Sequence, residues 1–211
     1  MSLAVGVAFL DELRRLDDEG FEHFTAVFDR LSTYLAKEGH PGYHEPSELA
    51  VQLPACTRSF PYSFLHYLRR AYAHAHAGAK SVPPCPDGED PAADELIDEE
   101  LTMHMDSHLV CHSDCEGFYV PIDFADVLYS PDELEIPGCM VGSSVALLRE
   151  LRLVAEPLGI ELTRSAPTAR TLADLAAIDD THPLWRERLV WQTLWVNASA
   201  SVERRTAIVF Y

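Results

Sequence analysis

The sequence predicts an α+β fold that is predominantly α-helical, with six or seven helices around a small antiparallel β-hairpin. Three observations point there. Apolar residues recur at helical spacing along most of the 211-residue chain. Two β-prone runs flank a short polar loop near its middle. Hydrophobic residues make up 47% of the chain, enough for a core that needs neither metal nor disulfide to close.

The elements follow in order. Ala8 to Leu16 is a short helix. In Phe21 to Lys37, Phe21, Phe24, Phe28, Leu31 and Leu35 share one face, and Gly39 follows as a stop. Pro61 to Ala77 is a third helix, ended by Gly78, and Pro91 to Met105 a strongly acidic fourth. His108 to His112 and Phe118 to Ile122 form the hairpin, 108–122, around Ser113-Asp114-Cys115-Glu116-Gly117. Ser144 to Leu158 returns to helix, with Leu147, Leu148, Leu151 and Val154 on one face. Thr171 to Ile178 is short. His182 to Arg205 is the longest helix; it carries all three tryptophans and has Pro183 in its first turn. The apolar tail Ala207 to Tyr211 is a candidate third strand, because a lone hairpin is marginal. Residues 1–211 read as a single domain. The loop at 81–91 holds four prolines, so it is exposed and not helical.

Charge is sorted along the chain. The net charge is −18. Leu49 to Pro86 contains no Asp or Glu, but has Arg58, Arg69, Arg70, Lys80, His66, His74 and His76. Asp87 to Asp106 then carries nine acids and no Lys or Arg. This balance argues against nucleic-acid and anionic-lipid binding, both of which need a cationic footprint. No apolar run approaches the roughly 18 residues of a membrane span. The run Leu3 to Leu10 has no basic flank or cleavage site, so no secretory signal is expected. Five cysteines, Cys56, Cys85, Cys111, Cys115 and Cys139, are then expected as free thiols in the cytoplasm.

Several clusters could carry chemistry. His66, Arg69 and Arg70 share the polar face of helix 61–77, where arginine forks could hold a carboxylate or phosphate. Asp114, Glu116 and Asp123 could supply an acid/base pair or hold a hard cation. Turn formation explains Ser113, Asp114 and Gly117 equally well. Gly142, Ser143 and Ser144 open a helix, where free N–H groups attract anions and serine hydroxyls act as caps. His108, Cys111, His112 and Cys115 are of zinc-ligand type. On a strand, however, Cys111 would face away from His108 and His112, so no cofactor is predicted and zinc stays the alternative. There is no Gly-Lys-Ser/Thr loop and no Gly-x-Ser-x-Gly elbow.

Two functions emerge. The first is an acidic binding or regulatory protein, of inhibitor or immunity type, whose partner is a basic protein or a small anionic ligand. The second is a small enzyme or ligand-binding protein. Its pocket would lie between helix 61–77 and hairpin 108–122, with His66, Asp114 and Glu116 as catalytic groups and a metal as an option. Convergence of His66, Arg69, Asp114 and Glu116 in one recess would favour the second.

Overall fold

A computed structural model describes residues 2–50, 58–86 and 88–211. Cys56 and Asp87, singled out above, lie outside the described residues. In chain order the elements begin with β1 (Ser2–Gly6), α1 (Phe9–Leu16), α2 (Asp18–Lys37), β2 (Arg58–Pro61) and α3 (Ser63–His76). Next come α4 (Glu95–Glu99), continued by a π-helical turn over Glu100–His104, then β3 (Gly117–Val120), β4 (Leu128–Tyr129) and β5 (Met140–Ser143). The last are α5 (Ser144–Ala155), β6 (Leu162–Thr163), β7 (Ala166–Pro167), α6 (Ala169–Ala176), α7 (Trp185–Arg204) and β8 (Ile208–Phe210). The fold is α+β and helix-dominated.

The strands depart from the expected hairpin. Six of them form one sheet in the order β2-β1-β8-β3-β5-β4, and only β3 and β5 run parallel. The first arm of the hairpin is absent: residues 108–112 are turns, not a strand. Strand β3 pairs instead with the C-terminal tail, Phe118 opposite Val209, and with β5, Phe118 opposite Val141. The tail therefore does add a strand, between β1 and β3. The N-terminal run, assigned no element from the sequence, supplies β1, with Leu3 and Val5 fully buried.

Alternation along the strands builds two cores, one on each face of the sheet. Tyr119, Ile208 and Phe210 join Leu3 and Val5 beneath α3, α5 and α7. Phe118, Val120 and Val209 face the other way and pack with Phe28, Leu31 and Leu35 of α2. In the first core Trp191 is fully buried, donates its ring N–H to Leu151 O at 2.7 Å, and stacks on Trp195 at 5.1 Å. Asp17 caps α2, Asp94 caps α4, Ser143 caps α5 and Thr168 caps α6, each accepting a backbone N–H. Helix α7 starts at Trp185 rather than His182. Residues 182–184 turn instead, with Leu184 N–H donating to His182 Nδ1.

Candidate functional site

Helix α3 crosses the sheet with its arginines pointing inward. Arg69 is 6% exposed and donates to Leu109 O at 2.9 Å and His112 O at 2.6 Å. Arg70 is 8% exposed and donates to Asp94 Oδ2 at 2.9 Å and Pro83 O at 2.8 Å. Their donors are engaged inside the fold, which corrects the reading of these two residues as an open anion site. The physical reason is that a buried guanidinium must satisfy its donors with whatever oxygens lie nearby. His74 also reaches Asp94, at 2.9 Å. Burial by itself would raise the Asp94 pKa, but the His74 and Leu96 hydrogen bonds and the Arg70 charge hold it below the usual value.

His66 and Asp114 do come together, at 3.2 Å, joining α3 to the 113–117 loop. Burial and the Arg69 charge lower the His66 pKa, against the pull of Asp114. Glu116 is exposed, and its N–H turns back on Ser113 Oγ at 3.4 Å. Asp123 pairs with Arg149 at 2.8 Å on the surface. Two clefts of about 640 and 600 Å³ are lined by other residues, the first by Arg170, Asp174, His182 and Arg188, the second by Tyr43, His44, Arg204 and Arg205 among others.

The His/Cys segment is held by backbone partners. Glu150 on α5 accepts from the N–H groups of His108 and Leu109, both at 2.7 Å, and so organises the 107–110 turn. Burial raises its pKa to about 7. His108 is a fixed neutral tautomer: Nε2–H donates to Ala125 O and Nδ1 accepts from Ser143 N–H, each at 3.0 Å. The His112 ring lies between Ser113 O and Phe118 O and stacks on Tyr119 at 4.1 Å; burial lowers its pKa to about 4. Cys111 is buried and Cys115 exposed. These four residues are thus separated by their own partners rather than gathered as a ligand set. Among the described residues, the group that does converge as metal ligands is His76, Glu100 and His104.

The start of α5 is internal as well. A Cβ on Gly142 would overlap the Tyr119 ring, so this glycine serves close packing of β5 on β3. Ser143 and Ser144 are fully buried. Ser143 Oγ donates to Ile122 O and accepts from Ala146 N–H, while Ser144 Oγ meets Ser201 Oγ at 2.7 Å. The anion reading of Gly142, Ser143 and Ser144 is corrected accordingly: this helix start faces protein, not solvent.

The acids behave differently. Glu89, Asp90, Glu95, Asp98, Glu99 and Asp106 are all exposed. On α4, positions 98 and 99 lie three and four residues beyond 95, a rise of roughly 4.5–6 Å along the axis. A second acidic surface lies across the sheet. Arg30 on α2 donates to Leu134 O at 2.7 Å and Glu135 O at 3.3 Å, docking the 131–135 turn beside exposed Asp29. Asp132, Glu133 and Glu135 are exposed there. Among the described residues, no helix is long and apolar enough to cross a membrane.

Over residues 1–210 the chain matches a family described as "Putative DNA-mimic protein". No curated protein and no solved structure matches it. The family overturns the partner expectation drawn from charge. That expectation set nucleic acid aside and named a generic basic protein or a small anionic ligand; a DNA mimic implies a partner that is itself a DNA-binding protein. The match covers nearly the whole chain, and the chain belongs to this DNA-mimic family.

Proposed function

We propose that this protein inhibits a DNA-binding protein by occupying its DNA-binding face. The acidic ridge on 89–106 takes the place of the phosphate backbone. The single observation behind this reading is the one-sided use of charge: α3 turns its arginines inward, while Glu89, Asp90, Glu95, Asp98, Glu99 and Asp106 of the following segment face solvent. A duplex presents about one negative charge per 1.7 Å of axis, and its affinity for proteins is dominated by that charge. A surface of closely spaced carboxylates competes for the same lysines and arginines, and long-range attraction speeds the encounter. The reading keeps the protein in the cytoplasm, with a partner that works on DNA.

The test is competition. Proteins retained on the immobilised chain are purified and mixed with a fluorescein-labelled duplex. The chain should release the duplex, and its own binding should weaken steeply with salt. Combined Glu95→Lys, Asp98→Lys and Glu99→Lys should weaken competition at least 100-fold, about 2.7 kcal/mol. A retained protein that binds chain and duplex together, or a triple variant that competes as well as the parent, sinks the proposal.

A further inference from the structure

Between the end of α3 and the acidic segment, one cluster stands apart from the exposed carboxylates. His76 closes α3, and Glu100 and His104 bound the π-helical turn that follows α4. Candidate ligand atoms of all three lie within 4.8 Å of one another. His76 Nδ1 and Glu100 Oε1 are 2.5 Å apart, and the His76 and His104 rings are 5.1 Å apart. The three residues line a cavity of about 140 Å³, with Glu99 on the same wall.

Glu100 is the informative member. It is only 4% exposed, and its Oε2 has no hydrogen-bond partner. A buried carboxylate oxygen without a partner is costly, and a cation held beside two imidazoles is one group that relieves it. The π turn supports the same end. Insertions of this kind recur at functional sites, and here the turn aligns Glu100 and His104 towards the end of α3.

We infer that His76, Glu100 and His104 form a binding site for a divalent transition metal of the zinc class. Two imidazoles and one carboxylate are a three-ligand zinc set, which leaves a fourth position to water. Ligand atoms on a tetrahedral zinc sit about 3.3 Å apart for bonds of about 2.0–2.1 Å. Small rotations of the two exposed histidine side chains supply that spacing. An N₂O set suits Zn²⁺ and the later first-row ions better than Mg²⁺ or Ca²⁺. The bound ion would tie the end of α3 to the acidic segment, next to the exposed Glu99 and Asp98.

The test uses the full chain without a histidine tag. Zn²⁺ is titrated by calorimetry, and the histidine ring signals are followed by NMR. One equivalent should bind at micromolar concentration or tighter, with the His76 and His104 signals moving first. His104→Ala should weaken binding at least tenfold, while His44→Ala, an exposed histidine elsewhere, should bind like the parent. Because His104 is exposed, its variant should fold; should it not, the NMR assignment on the parent decides. Absence of micromolar binding, unchanged affinity in a folded His104→Ala, or shifts confined to other histidines would overturn the inference.

Discussion

Arg69 and Arg70 on α3 are 6% and 8% exposed, whereas Glu95, Asp98 and Glu99, one helix later, face solvent. Both stretches are highly charged, but the two signs are handled in opposite ways. The arginines have long apolar stems and forked donors, so they can be buried where carbonyls and Asp94 meet them. The ridge carboxylates have no cation in their own segment and stay hydrated. The lesson is that the internal cations stabilise the fold, while the external anions are left free to act on a partner.

That contrast can be broken at measurable points. The largest effect is expected from Arg69→Ala, which strands two buried carbonyls and leaves a cavity. It should destabilise the protein by about 4 kcal/mol in denaturant unfolding. A loss below about 1 kcal/mol would mean that those carbonyls find other partners. Asp94→Ala removes the α4 cap and the partner of both Arg70 and His74, and should cost about 3 kcal/mol. Asp94→Asn keeps the cap and should cost less. Because the folded Asp94 pKa is depressed, its contribution is present above the usual carboxylate range and fades as pH falls through the folded value.

Buried Glu45 sharpens the comparison, since it is an acid treated as the arginines are. It is 8% exposed and accepts from Tyr43, Thr206 and Ala207, joining the 43–46 loop to the C-terminal strand. Burial raises its pKa from 4.5 to about 7. The folded state therefore holds a proton that the unfolded state has lost, and this contribution disappears as pH rises from 4.5 through 7. Glu45→Gln should gain stability relative to the parent over that window, by up to about 3 kcal/mol. Parallel stability–pH curves for the two proteins would contradict this. The smallest stability effect is expected on the ridge itself. Glu95→Gln, Asp98→Asn and Glu99→Gln should each change stability by no more than about 0.5 kcal/mol. Duplex competition should fall with each substitution.

The helices were legible because their apolar period is local: Phe28, Leu31 and Leu35 mark α2 without reference to anything else. The strands were legible only in part. Strand β3 and the tail are apolar runs, but their pairing joins residues about 90 positions apart. Residues 108–112 have strand-like composition because they are buried, yet they form a turn that Glu150 organises from α5. No local pattern announces that carboxylate. The Asp94 cap was missed as well, because the helix expected over Pro91 to Met105 begins only at Glu95, with Asp94 as its cap. The candidate site divides the same way. The acids of 89–106 could be counted in the sequence, whereas the inward turn of Arg69 and Arg70 could not.

The sequence by itself determined the helical periods, the excess of acid and the sorting of charge into neighbouring stretches, since all three are properties of residue order. The tertiary structure alone decided which charges meet water. Burial and hydrogen-bond partners come from segments distant along the chain, and only folding brings Leu109, His112 and Asp94 to the arginines of α3.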